Sequence, residues 1–238
     1  MAPHGEGSEE AMVVQDENRK PISSILIIIA MQTEAMPIVN KFQLKEDLDS
    51  VFPKGVPWVR YHGVYKDLQI NLVWPGKDST LGVDSVGTIS ASLVTYAAIQ
   101  ALQPDLIINA GTAGSFKVFD LYGVGSRQSF STPNLLKELN LKAGKLSTGD
   151  SLDMSPQEEA SIVANDATVK DMEGAAVAYV ADLLKVPAIF IKAVTDIVDG
   201  EKPPAEEFLQ NLAAVTAALD QAVTQVVDFI NGKCLSEL

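Results

Sequence analysis

The apolar residues of this chain fall into short, unbroken runs that are separated by amphipathic stretches. The runs Ile25–Ala30, Leu106–Asn109 and Ala188–Val194 contain few polar side chains. Runs of this kind predict strands that are buried on both faces, as in a parallel sheet. Two further segments, Val56–Val64 and Leu68–Trp74, alternate between apolar and polar residues on either side of a short turn. They predict a β-hairpin.

The amphipathic stretches between these runs predict helices. One helix begins near Thr33, which we expect to cap it, and a second spans Val86–Leu102 with Leu93 on its inner face. A third starts at Glu173, and the last covers about 205–230. Strands that alternate with helices in this way are typical of an α/β domain.

Length and composition limit what this chain can be. Its 238 residues fit one large α/β domain or two small ones, and 47% of them are apolar, enough for a substantial core. The formal charge of -13 argues against nucleic acid or an anionic membrane as a partner, because phosphate groups repel such a surface. One cysteine, Cys234, and two histidines, His4 and His62, exclude a metal site built on cysteine or histidine. No apolar run reaches the length of a membrane span.

The beginning of the chain differs in character from the rest. It is rich in acidic residues, namely Glu6, Glu9, Glu10, Asp16 and Glu17. Targeting peptides are basic or poor in acids, so residues 1–21 are predicted to be a disordered acidic tail. We expect the remaining residues, 22–238, to form the single domain of a cytoplasmic protein.

Acidic side chains occur where predicted strands and helices meet. Glu34 follows the first buried strand, Glu173 opens a predicted helix, and Asp196 follows the run Ala188–Val194. The glycine-rich turn Ala110–Gly114 follows another buried strand. In open α/β sheets ligands bind outside the carboxyl ends of the strands, so these residues are candidates for a small-molecule site. Each has a simpler alternative, because acids at helix starts complement the helix dipole and small residues form tight turns.

Several of these segments together resemble the nucleoside phosphorylase/nucleosidase superfamily. The matching motifs, in the order seen in that family, are Ala30–Glu34, Asn109–Gly114, Met172–Ala176 and Thr195–Asp196. The chain from about Pro21 to its C-terminus is similar to the plant 5'-methylthioadenosine nucleosidases within the superfamily. The resemblance implies a three-layer α/β/α sandwich around a twisted mixed β-sheet, assembled as a homodimer.

The resemblance also implies a role for each matching residue. Glu34 would activate the attacking water, and Asp196 would carry the proton that is given to N7 of adenine. Glu173 would bind the ribose hydroxyls beside Met172, and Thr195 would support Asp196. The remaining positions that would line the nucleoside are Thr112, Ala113, Gly114, Leu152 and Asp153.

The implied reaction accounts for these residue types. Cleavage of an N-glycosidic bond places negative charge on the departing base, so an acid is needed at the leaving group. On the opposite face, the carboxylate of Glu34 can orient a water and accept its proton, whereas it would repel phosphate. The resemblance therefore implies hydrolysis of 5'-methylthioadenosine to adenine and 5-methylthioribose, in methionine salvage, without a metal or organic cofactor. S-adenosylhomocysteine remains an open second substrate. Lys192 can be either a partner of this site or a lysine that extends to solvent.

One stretch departs from the family pattern. After the glycine-rich turn, family members continue with a segment that has no counterpart between Val118 and Phe119. The gap amounts to roughly 25 residues, enough for a strand and its connections, so we expect the sheet to be one strand short. A missing strand leaves backbone groups unpaired. One alternative is therefore a catalytically impaired variant that binds nucleoside or pairs with the full-length enzyme. A nucleoside phosphorylase is the further alternative.

Overall fold

The structure is a computed structural model that describes residues 20–115, 127–152, 155–164, 166–197 and 204–238. Within these ranges eight strands alternate with six helices. The strands are β1 Ser24–Ile28, β2 Lys45–Glu46, β3 Val59–Tyr65, β4 Leu68–Trp74, β5 Leu106–Ser115, β6 Leu146–Thr148, β7 Val169–Asp171 and β8 Ala188–Ile197. The helices are α1 Gln32–Lys41, α2 Thr88–Leu102, α3 Pro133–Glu138, α4 Pro156–Ala164, α5 Gly174–Leu183 and α6 Pro204–Ile230.

Some predictions fall outside the described residues. They concern most of the acidic tail 1–21, the junction between Val118 and Phe119, and the placement of Asp153. The backbone of Asp196 is described as part of β8, but its side chain is not. Among the described helices, none is both long enough and apolar enough to span a bilayer.

The strands form one mixed sheet in the order β2-β3-β4-β1-β5-β7-β6, with β8 paired to β5. The central strands β4, β1, β5 and β8 are parallel to their neighbours in this group, whereas β3 pairs antiparallel with β4. This arrangement confirms the predicted buried parallel strands and the predicted hairpin. The carboxyl ends of β1, β5 and β8 consequently meet at one edge of the sheet.

The side chains of β1 alternate between two separate cores. Ile27 packs in a core that includes Ile38 of α1 and Val223 of α6. Leu26 packs in a second core that includes Val94 of α2 and the apolar face of α5. Helices thus cover both faces of the sheet, which confirms the expected α/β/α sandwich. Each fully buried Ile or Leu contributes about 1.5–3 kcal/mol relative to exposure.

Two details of the predicted helices are wrong. Helix α1 begins at Gln32 with Met31 at its N-cap, so Thr33 lies inside the helix and does not cap it. In α2, Val94 is fully buried but Leu93 is 56% exposed. Fewer residues of α2 are buried than its apolar sequence suggests, because several of its apolar residues face away from the core.

Candidate functional site

Glu34 lies in the first turn of α1, directly after β1, and is only 2% exposed. Its Oε1 accepts hydrogen bonds from the backbone N–H of Thr112 at 2.7 Å and from the Thr112 hydroxyl at 2.8 Å. Its Oε2 accepts a longer one, at 3.3 Å, from the backbone N–H of Met31. The glutamate thus complements the helix start, as the simpler alternative requires. It also joins the start of α1 to Thr112, which lies within β5. The predicted turn at Ala110–Gly114 is wrong, because these residues continue the strand and pair with β8.

The glycine-rich end of β5 leaves room beside this carboxylate. A Cβ placed on Gly111 would lie 3.5 Å from Nζ of Lys192 and 3.6 Å from Oε1 of Glu34. These are ordinary contact distances, so a side chain would fit, but it would occupy the space between the ammonium and the carboxylate. Gly111 therefore leaves a narrow gap beside the ammonium and the carboxylate, of the size that a single methyl group would fill.

Glu173 lies just before the first residue of α5 and is nearly buried. Its Oε1 accepts a hydrogen bond of 2.8 Å from the backbone N–H of Gly87, the residue that precedes α2. The pKa of Glu173 is raised to about 7, chiefly by burial and also by the charges of Asp171 and Glu34, against the opposing effects of Lys192 and the Gly87 N–H. A carboxyl group with a pKa near neutrality is typical of functional sites.

Asp171 and Lys192 form a buried ion pair beneath the two glutamates. Nζ of Lys192, on β8, lies 2.7 Å from Oδ2 of Asp171, at the end of β7. The two side chains are 7% and 1% exposed. Lys192 is thus an inward-facing partner of the site, and the alternative in which it extends to solvent is wrong.

The site concentrates more negative than positive charge. Within the described part of the chain, Glu34, Asp171 and Glu173 are buried near the ammonium of Lys192. Burial is the main reason why the pKa of Glu34 is raised, although the Thr112 hydrogen bonds and Lys192 oppose it. A carboxylate with a raised pKa is a stronger base, so Glu34 is suited to accept a proton from water.

The residues predicted to line the nucleoside are only partly brought together. Thr112 contacts Glu34 directly, and the backbone of Gly114 pairs with that of Asp196 across β5 and β8. Ala113 and Thr195 are buried on the same two strands. The paired strands therefore place the glycine-rich part of β5 beside the backbone of Asp196.

Two further predicted residues differ in their placement. Met172 is half-buried between β7 and α5, and Leu152 is 52% exposed on a loop. That loop is tied to the start of α2, because Asp150 accepts two hydrogen bonds of 2.6 Å from the backbone and hydroxyl of Thr88. No hydrogen bond in the described residues joins Leu152 to Glu34 or Glu173.

Sequence reasoning missed two parts of the site. It assigned no role to Asp171, although this acid stands three residues before Gly174, where a side chain can cap the helix that follows. It also missed the Gly87 N–H, because a backbone donor leaves no mark in the residue type. A glycine directly before a predicted helix was the available signal for it.

Comparison with known proteins places these observations in a family. The model of the phosphorylase superfamily matches residues 24–122 and 127–228. A 5'-methylthioadenosine nucleosidase of Arabidopsis thaliana is 62% identical over 267 aligned positions that cover all of both chains. A 5'-methylthioadenosine/S-adenosylhomocysteine nucleosidase of the same plant is 61% identical, covering 95% of this chain and 99% of the relative.

A solved structure agrees with the sequence relatives. The apo form of Arabidopsis thaliana 5'-methylthioadenosine nucleosidase superposes with a TM-score of 0.89 at 63% identity. The match covers 92% of this chain and 100% of that chain. The likeness therefore extends over the sheet, the helices and the strand ends that hold the carboxylates.

Proposed function

We propose, from the premise that this chain belongs to the phosphorylase superfamily, that it hydrolyses the N-glycosidic bond of 5'-methylthioadenosine. The products are adenine and 5-methylthioribose, the latter a substrate for methionine salvage. The observation that carries the proposal is the 62% identity, over the full length of both chains, with an Arabidopsis nucleosidase named for this substrate. S-adenosylhomocysteine is a candidate second substrate, because the 61% identical relative is named for both.

Glu34 is the proposed base for the attacking water. Its Oε1 is held by two donors of Thr112, so the carboxylate has a fixed orientation beside the space at Gly111. Its raised pKa favours proton transfer from a bound water. The buried carboxylates would repel phosphate, and the ammonium of Lys192 would offset this repulsion only in part. The charge of the site therefore favours hydrolysis over phosphorolysis.

Glu173 is the proposed acceptor for the ribose hydroxyls. A carboxylate offers about four lone-pair sites, and the Gly87 N–H occupies one of them. Two vicinal hydroxyls can therefore donate to the same side chain. Because the pKa of Glu173 is about 7, the group is mainly ionised, and so able to accept both, above neutral pH.

Asp196 is the proposed carrier of the proton for the base. The support for this role is its position, since it follows Thr195 near the end of β8 and its backbone pairs with that of Gly114. Glu34, at the start of α1, lies at the same edge of the sheet. Together they would supply an acid for the leaving group and a base for the nucleophile.

The proposed assembly is a homodimer. Apolar side chains remain exposed on α2 and α5, which pack against each other; they are Ile89, Leu93, Tyr96, Tyr179 and Leu183. The three on α2 are spaced four and three residues apart, so they lie on one face. Exposed apolar patches of this kind mark protein interfaces. Sedimentation of the wild type and of a Leu93→Asp variant tests the proposal, which requires a dimer that the variant weakens.

The decisive experiment for the activity is adenine release from 5'-methylthioadenosine by the purified protein, with and without phosphate. A hydrolase releases adenine at the same rate with and without phosphate. An Asp196→Asn variant, shown by circular dichroism to be folded, should release adenine at least about 100-fold more slowly than the wild type. A rate that requires phosphate would instead assign a phosphorylase. Equal rates for wild type and variant would remove Asp196 from the mechanism.

A second candidate function is that of a non-catalytic subunit. The alignment with the Arabidopsis relative has 267 positions, whereas this chain has 238 residues, so at least 29 positions (267 less 238) have no residue here. The family-model match is also interrupted after residue 122 and resumes at residue 127. The alignment length supports missing positions, and the break in the family match lies four residues after the predicted junction. A melting temperature raised by adenine, in a protein that releases none, would favour this candidate.

A further inference from the structure

We propose that Asp171 is a positioning residue that binds the Lys192 ammonium and keeps it from forming a close ion pair with Glu34 or Glu173. The inference rests on the proposed function, because it concerns how the two glutamates are kept ready for water and ribose. Asp171 is not among the residues predicted to contact the substrate. Its effect would be exerted through Lys192.

The carboxylate of Asp171 is fixed on both oxygens. Oδ1 accepts a hydrogen bond of 2.6 Å from the Thr148 hydroxyl, which in turn accepts one of 2.8 Å from the backbone N–H of Ala175. Oδ2 accepts one of 2.8 Å from the backbone N–H of Gly174 and also binds Lys192. A buried carboxylate with this many donors has little freedom to move. Asp171 is thus a rigid anion between β6, β7 and α5.

The position of Lys192 follows from that anion. Its only close ion pair within the described residues is the one with Asp171, at 2.7 Å. Nevertheless the ammonium is close enough to the glutamates to lower the pKa of both Glu34 and Glu173. A side-chain atom on Gly111 would touch the ammonium and Glu34 together, so only a short space separates these two groups.

Removal of the Asp171 charge should therefore redirect Lys192. A buried ammonium without a counter-ion is costly, and Glu34 and Glu173 are the nearest alternative anions. An ammonium bound directly to Glu34 would make that carboxylate a weaker base. One bound to Glu173 would occupy the oxygens that are proposed to accept the ribose hydroxyls.

The groups that face Glu173 come from four elements. Glu34 faces it from α1, the Gly87 N–H from the start of α2, Asp171 from β7 and Lys192 from β8. Without the like charge of Asp171, and with the ammonium released toward it, Glu173 loses one cause of its raised pKa and gains a stronger opposing one. Both changes move its ionisation to lower pH.

The first test is the Asp171→Asn variant in the adenine-release assay as a function of pH. We expect kcat to fall about tenfold to a hundredfold, with a smaller change in KM, and the ionisation assigned to Glu173 to move to lower pH. The matched control is Thr148→Val, which removes a donor to Asp171 but keeps its charge. The control should melt at a lower temperature and retain the wild-type pH profile.

The second test needs no turnover and separates this inference from the proposed function. Carbon-13 NMR of glutamate-labelled protein, with Glu173→Gln to assign the signal, follows the Glu173 carboxyl group directly. Asp171→Asn should move its midpoint to lower pH, and Lys192→Gln should move it to higher pH. Opposite shifts support the inference even if the wild type releases no adenine. Unchanged midpoints in both variants, with only melting temperatures lowered, would reduce Asp171 to a helix cap and overturn it.

Discussion

At the scale of single residues, Glu173 combines a buried carboxyl group with competing neighbours. Its pKa of about 7 in the folded protein compares with 4.5 for an unperturbed glutamate. The folded state therefore binds this proton more tightly than the unfolded state does. The associated stability is fully present below pH 4.5 and is lost as the pH rises through 7.

This difference predicts how the Glu173→Gln variant will behave. Glutamine carries no charge at any pH, so the variant avoids the cost of ionising a buried group. The shift corresponds to about 3 kcal/mol, taking 1.36 kcal/mol for each pKa unit. Between pH 5 and pH 8, the free energy of unfolding of the variant should rise relative to that of the wild type by up to this amount. Urea unfolding at the two pH values measures the difference. A free-energy difference that is the same at both pH values would contradict the assignment.

At the scale of elements, the start of α5 is packed tightly against β6 and β7. A Cβ on Gly174 would lie 2.3 Å from a methyl carbon of Leu146 and 2.9 Å from Oδ2 of Asp171. Both distances are too short for atoms to occupy without movement. The close approach brings the Gly174 N–H to the Asp171 carboxylate and thereby fixes the helix that Glu173 precedes.

The Gly174→Ala substitution should therefore destabilise the protein by about 1–3 kcal/mol, because it overpacks this contact. Gly149→Ala is the matched control, since its Cβ would meet only the Lys170 side chain, at 3.9 Å. Thermal unfolding of the two variants beside the wild type checks the prediction. Equal melting temperatures for the two would show that α5 can shift without cost.

The strands and helices themselves were largely predictable, because apolar periodicity depends on local sequence. The hairpin, the central strands and the long last helix all follow from it. The exposure of Leu93 did not follow, since an exposed apolar residue on a helix has the same sequence pattern as one in the core. The helix start at Gln32 was missed because Met31 is an unusual N-cap residue.

The contacts within the site were less predictable than the elements. Glu34 and Thr112 are 78 positions apart in the sequence, and Gly87 and Glu173 are 86 apart. Such pairs form only because parallel strands bring distant segments to one edge of the sheet. The motifs identified the acids, but the sheet decides which donor each acid meets. The Asp171–Lys192 pair is the clearest example, because neither residue alone indicates it.

At the scale of the whole molecule, the proposed deletion between Val118 and Phe119 would affect the sheet and the stability of the fold. The expected loss of one strand stays a prediction, since the junction lies outside the described residues. If a strand is missing, its neighbours keep backbone groups that water or another chain must satisfy. Such a form should be less stable than a relative that retains the segment.

Insertion of the corresponding Arabidopsis segment between Val118 and Phe119 tests this expectation. The extended protein should melt at a higher temperature and release adenine faster, because the restored strand would pair its neighbours and hold the glycine-rich part of β5. Calorimetry and the adenine assay on both forms provide the comparison. Equal melting temperatures and equal rates would mean that the segment is dispensable for both fold and activity.

The central claim is that the buried carboxylate of Glu34 activates water for cleavage of a nucleoside. The most direct measurement compares wild type and Glu34→Gln for nucleoside binding by calorimetry and for adenine release from 5'-methylthioadenosine. Glutamine keeps the size and hydrogen-bonding oxygen of the side chain but cannot accept the proton. We predict that the variant still binds the nucleoside and that its kcat falls by about 100-fold or more. A variant that releases adenine at the wild-type rate would contradict the account.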